Sequence, residues 1–188
     1  MAKISITNVE EKGNRMSFKL KGVSVPFANA IRRTAMGQLP VYAIDKITVY
    51  ENNSAFFDEY IANRVGLIPI STPDKFEDEV LFSLNVEGPL TVLSSSLESN
   101  NPKVGVANGN IPLVELGSKQ VLRIEGIAKK GMGRMHAKFQ AGIVSYSYEE
   151  EGEYDFIVES FGQMSPREII KRSLNELVSK TKKIAKEI

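Results

Sequence analysis

The chain contains no cysteine and a single histidine, His136, among its 188 residues. The missing cysteine excludes disulfides, thiolate metal sites, iron–sulfur clusters and cysteine nucleophiles. It also suits a reducing compartment. One histidine cannot build a histidine metal site, and any Ser-His-Asp arrangement would rest on it alone. No apolar signal region precedes the alternating start Met1-Ala2-Lys3-Ile4-Ser5-Ile6, and no apolar run is long enough to span a bilayer. A cytoplasmic location is therefore expected. A net charge far from zero is missing too. At a formal +1 the chain has no global field to gather nucleic acid or membrane, so any basic function needs local clustering.

Clustered acids are also absent. Two-metal nucleotide transfer needs carboxylates that hold ions about 4 Å apart. The aspartates are Asp45, Asp58, Asp74, Asp78 and Asp155, and no two of them are two residues apart. The densest acidic run, Glu77-Asp78-Glu79, lies in a charged connection and reads as solvated. Gly131-Met132-Gly133-Arg134 has a phosphate-loop flavour but no third glycine, and strand-like sequence follows it instead of a helix. A hairpin loop with positive φ at both glycines accounts for it. His136, at the start of that strand pattern, reads as a hydrogen-bonded structural residue.

What is present is an ordinary globular composition, 42% apolar and 25% charged, in a length that suits one large domain or two small ones. Residues 3–9 and 14–20 alternate apolar and polar around Lys12-Gly13-Asn14, which reads as two strands and a turn. Ser24-Val25-Pro26 opens a helix that carries Phe27, Ile31 and Ala35 on one stripe and ends before Pro40. Tyr42 to Tyr50 returns to strand. Asp58 reads as the cap of a short helix stopped by Gly66. Residues 71–79 are charged and expected to be exposed. Strand patterns recur at 80–86, 111–116, 119–128, 136–148 and 154–159, and Ser94 to Asn110 reads as a surface loop.

The last segment is the clearest. Ser165-Pro166-Arg167-Glu168 is a capping box with proline at the first helical position. Beyond it, Ile170, Leu174, Leu177, Thr181, Ile184 and Ile188 follow a heptad spacing. The segment carries seven basic residues (Arg167, Lys171, Arg172, Lys180, Lys182, Lys183, Lys186) against Glu168, Glu176 and Glu187, a local +4. From pattern alone this stripe packs equally well on the chain's own sheet or on a partner, and its lysines could touch phosphates. The pair Arg32-Arg33, by itself, reads as solvated. The bookends of strands and a helix predict an α+β fold. In it, residues 1–50 and 149–188 form one discontinuous domain, and residues 51–148 form a mainly β domain inserted into it.

Four blocks, in order, resemble the alpha-like subunits of cellular RNA polymerases, and among them the archaeal members of that family. They are Pro26-Phe27-Ala28-Asn29-Ala30-Ile31-Arg32-Arg33 with Ala43-Ile44-Asp45; Asp58 to Ile70; Gly131 to Phe139; and Glu159-Ser160-Phe161-Gly162 running into the capped helix. The resemblance implies a non-catalytic assembly subunit of an enzyme that transcribes DNA from ribonucleoside triphosphates. It implies pairing with a small alpha-like subunit L through Phe27, Ile31, Ile170, Leu174, Leu177 and Ile184. It further implies docking to the second-largest catalytic subunit through Arg32, Arg33, Asp58 and Arg64, contact with the small zinc-binding subunits N and P, and only indirect contact with DNA. Some members carry a cysteine-rich iron–sulfur insertion; here that place holds only Glu149-Glu150-Glu151-Gly152, so no cofactor is expected. Asn63 stands where relatives often have histidine, and Phe139 where many have tryptophan. The competing expectation is a free-standing nucleotide-binding or hydrolytic enzyme that uses His136 and the Gly131–Gly133 loop.

Overall fold

A computed structural model describes residues 3–73 and 79–188. The chain divides into two compact units, Met1–Pro40 with Met132–Ile188, and Val41–Gly131.

The first unit is a four-stranded antiparallel sheet backed by two helices. Strands β1 (Ser5–Lys12) and β2 (Arg15–Lys21) form the expected hairpin. Helix α1 (Val25–Gly37) follows. Much later in the chain come β9 (Gly142–Ser147), β10 (Glu153–Ser160) and α3 (Pro166–Glu187). The strand order is β1-β2-β10-β9. Alternation puts Met16, Phe18 and Leu20 of β2 beside Tyr154, Phe156 and Val158 of β10 on the buried face. Phe18 and Phe156 stack with ring centres 5.0 Å apart. Helix α1 buries Ala28, Ile31, Thr34 and Ala35; α3 buries Pro166, Ile169, Ile170 and Ser173. Small residues at these contacts let the helices approach closely.

Helix α3 starts where the sequence places it. Ser165 Oγ accepts a hydrogen bond from the Glu168 main-chain N–H at 3.2 Å, while the Glu168 carboxylate takes up Arg172 Nε at 3.1 Å. Lys180 Nζ donates to Gln38 Oε1 at the end of α1. From Val178 onward every residue of α3 is exposed.

The second unit holds a sheet of β3 (Pro40–Asn52), β4 (Glu79–Glu87), β6 (Glu98–Ser99) and β8 (Val121–Met132), in the order β3-β8-β4-β6. A separate pair is formed by β5 (Leu90–Leu93) and β7 (Pro112–Leu116). Helix α2 (Asp58–Gly66) buries Ile61 and Val65 in a core shared with Tyr42, Ile44, Phe82, Leu84, Leu122 and Ile124.

Several expectations are corrected here. The units do not divide at residues 50/51 and 148/149. Residues 41–50 belong with the middle because β3 bonds to β8, and residues 132–148 belong with the ends because β9 bonds to β10. Phe57, not Asp58, is the cap residue of α2. The strand expected over 136–148 begins only at Gly142, after a single 3-10 turn, Ala137–Phe139. Strand β5, four residues long, has too short a pattern to be seen. The Ser94–Asn110 stretch is only partly a surface loop. Ser94 is fully buried, its hydroxyl donating to the Asn108 carbonyl at 2.5 Å and accepting from the Ile111 N–H at 3.1 Å. Asp74 to Asp78, including Glu77 of the acidic run, lie outside the described residues.

Candidate interaction surfaces

The six residues expected at a pairing interface separate into three pairs. Ile31 (3% exposed) and Ile170 (8%) lie in the core of the first unit. Leu174 and Leu177 are half-buried, and Phe27 (44%) and Ile184 (63%) are exposed. The heptad stripe is thus one line of residues with two environments. Its first turns seat on the sheet, and its distal positions Ile184 and Ile188 are uncovered, as is Val178 beside the stripe.

A second uncovered apolar surface lies beside it. An open groove of about 260 Å³ runs between the β1–β2 hairpin and α3, floored by Ile6, Val9, Met16, Phe18, Ile170 and Leu174, with Arg167 and Lys171 at its rim. The alternation in β1 correctly marks a strand. Its apolar residues Ile6 and Val9, with Ile4 just before the strand, are nevertheless left 46–64% exposed, although Ile6 pairs with buried Leu20. Sequence reasoning missed this groove because alternation locates a face and not what covers it.

The four expected docking residues belong to different units. In α1, Arg32 is held by its own helix, with Nε and Nη2 donating to Asn29 Oδ1 at 3.2 and 2.9 Å; Arg33 is exposed. In the second unit, Asp58 Oδ1 accepts from Asn52 Nδ2 at 2.8 Å. Arg64 donates to the Pro112 carbonyl and to Tyr60 Oη at 3.4 Å, and its guanidinium sits 5.7 Å from the Tyr60 ring centre. Tyr60 stacks on Phe56 at 4.7 Å. Phe56, Tyr60 and Arg64, four residues apart, therefore form one column on the outer side of α2, next to Phe57 (82% exposed) and Leu67 (53%). Asp58 and Arg64 are not bonded to each other. The aromatics were missed, although their spacing was there to be read.

The rival site is occupied with structural contacts. His136 Nδ1 accepts from the Lys138 N–H at 3.1 Å and caps the turn that buries Phe139. Gly131 lies within β8, next to its last residue, and neither it nor Gly133 has the expected positive φ. Gly133 is small for a different reason: a Cβ there would collide with the Met36 carbonyl, where the loop crosses the end of α1 and Arg134 N–H bonds the Gly37 carbonyl at 3.0 Å. No α-helix follows the loop to receive a phosphate. Among the described residues no three histidine, cysteine or carboxylate side chains gather as a metal site. No helix among them is long and apolar enough to cross a membrane.

Residues 17–181 match the family described as the RNA polymerase Rpb3/Rpb11 dimerisation domain. The DNA-directed RNA polymerase subunit Rpo3 of Pyrococcus furiosus is 46% identical over 157 residues, which cover 79% of this chain and 60% of that protein. The subunit of the same name from Methanocaldococcus jannaschii is 41% identical over 177 residues, 94% of this chain and 91% of that protein. That of Halobacterium salinarum is 39% identical over 137 residues, 72% and 55%. The chain thus spans three fifths or less of the pyrococcal and halobacterial relatives and nearly all of the methanocaldococcal one. With two helices and a sheet assembled from both chain ends, and this match running through both units, the chain belongs to the Rpb3/Rpb11 dimerisation-domain family, in the archaeal alpha-like branch that holds the Rpo3 subunits.

Proposed function

We propose that the chain is a non-catalytic assembly subunit of DNA-directed RNA polymerase, acting in transcription by holding other subunits together. The observation that carries this reading is the pair of uncovered apolar surfaces in the first unit, the distal half of α3 and the groove beside β1–β2. Val178, Ile184 and Ile188 left in water, beside half-buried Leu177, form an adhesive patch. Membership of a dimerisation family supports reading that patch as a pairing surface. The occupant would be the small alpha-like subunit L, whose helices would lie against α1 and α3. The Phe56–Tyr60–Arg64 column and exposed Arg33 would dock the second-largest subunit, and the second unit would contact subunits N and P. The chain would work without an iron–sulfur cluster, since it has no cysteine to ligate one. Its place would be the cytoplasm, with DNA touched only through the complex.

Co-expression with subunit L followed by gel filtration tests this. Wild type should elute as a heterodimer, and Leu174→Asp together with Ile184→Asp should elute as folded, unpaired chain. A normal heterodimer from the double variant would overturn the pairing surface. Failure of the wild type to pair would overturn the function.

A further inference from the structure

The sheet of the first unit has two edges, and they are built differently. The β1 edge is broken by a register shift between Thr7 and Glu10, with Asn8 at φ 52°, and carries Glu10, Glu11 and Lys12. A bulge and charges are the usual protection of an edge strand. The β9 edge has none of this. Gly142-Ile143-Val144-Ser145-Tyr146-Ser147 contains no charge and no proline, and its register against β10 runs unbroken from Gly142 to Ser147.

The main-chain phase of β9 follows from two bonds. Phe161 N–H donates to the Ala141 carbonyl at 3.0 Å, and Ser160 N–H donates to the Asn14 carbonyl at 2.7 Å. Antiparallel pairs alternate. Ile143, Ser145 and Ser147 therefore spend their main-chain groups on β10, and Gly142, Val144 and Tyr146 aim theirs outward. The Gly142 carbonyl is taken by Gln140 Nε2 at 2.9 Å. No described residue bonds the outward main-chain groups of Val144 or Tyr146. Val144 is meanwhile locked from inside, 2% exposed, so the edge is a firm template.

Its surroundings define what fits. Ile143 (45% exposed) and Ile157 (38%) are diagonal neighbours on the outer face, an apolar footing beside the open edge. From Gly142 to Pro166 the chain has six carboxylates (Glu149, Glu150, Glu151, Glu153, Asp155 and Glu159) and no lysine or arginine. Lys19 and Lys21 neutralise Glu153 and Asp155, and Glu149, Glu150 and Glu151 stand exposed where β9 ends. We propose that β9 is a strand-addition site that takes an extended protein segment alternating apolar and basic side chains, contributed by another subunit. Its main chain bonds Val144 and Tyr146, its apolar residues cover Ile143, and its basic residues meet Glu149–Glu151. A second copy of this chain fits badly, because it brings the same acidic hairpin. The inference rests on the assembly reading only for the source of the segment.

The test uses the full chain, labelled with ¹⁵N, and a ten-residue synthetic probe of alternating valine and lysine. The expected result is at least tenfold slower hydrogen exchange at the Val144 and Tyr146 amides on probe binding. A probe N-methylated on alternate amides, and one with glutamate for lysine, should each lose at least tenfold in affinity. Joint replacement Glu149→Gln, Glu150→Gln and Glu151→Gln should weaken the parent probe by a similar factor. No protection at these two amides, equal binding of either altered probe, or pairing of two chains through this edge overturns the proposal. Adding subunit L to the same sample separates the two readings: a heterodimer with an unprotected β9 edge removes this inference and leaves the assembly function standing.

Discussion

Ile184 and Ile31 are the same residue type, on the two helices assigned to pairing, yet they should respond oppositely to substitution. Ile184 is 63% exposed in the isolated chain. Truncating it to alanine removes nothing from the core, so the stability of the chain alone should change by less than about 0.5 kcal/mol. Full burial of such a side chain is worth roughly 1.5–3 kcal/mol. The part still exposed leaves roughly 1–2 kcal/mol to be gained against a partner, about a 5–30-fold change in Kd. Ile184→Asp adds the cost of taking a carboxylate out of water and should weaken pairing by about 100-fold or more. Ile31, 3% exposed, behaves as core: Ile31→Ala should cost the isolated chain roughly 2–5 kcal/mol through lost burial and the cavity left behind. The assay pairs urea denaturation of each purified variant with fluorescence titration of labelled subunit L. Unchanged Kd for Ile184→Asp, or an Ile184→Ala chain destabilised as much as Ile31→Ala, would refute the division of the six pairing residues into core and interface.

Two further outcomes follow from local geometry. Gly133→Ala should displace the 132–136 loop from α1, because its Cβ meets the Met36 carbonyl; the expected cost is about 1–3 kcal/mol of stability, measured by thermal unfolding. Tyr50 Oη donates to Glu125 Oε2 at 2.8 Å, and this bond, helped by the carboxylate's charge and opposed by Arg123, raises the phenol above its ordinary 10.0. The contact is intact through neutral pH and lost only as pH climbs past that raised value. Glu125→Gln should move Tyr50 ionisation back down, read by absorbance titration, and an unshifted curve would refute the assignment.

The regular elements of the first unit were legible because each carried a local signal. Ser165-Pro166 fixed the start of α3, and the alternation at Met16, Phe18 and Leu20 fixed β2. What a sequence pattern does not carry is the identity of the neighbour. The strand character of Tyr42–Tyr50 was readable, but its hydrogen bonding to β8, which moves it into the other unit, was not. The heptad spacing of α3 was real, yet spacing cannot say where the chain's own sheet stops covering it. Gly133 was read as a turn glycine, whereas its need is steric and comes from a helix about a hundred residues earlier. The β9 edge escaped notice because nothing marks it except missing protection, and that shows only once the strand order is known.

The first unit is stitched across long sequence distances: Lys21 bonds Glu153, 132 residues further on, at 2.6 Å. The second unit, Val41–Gly131, is contiguous. During synthesis the middle can therefore close while β1, β2 and α1 still wait for β9, β10 and α3. The surface proposed to recruit a partner would then be completed last. A chain interrupted before α3 would display a folded middle and only the first of the two pairing helices, α1, so the paired surface would be incomplete until the last residues had been made.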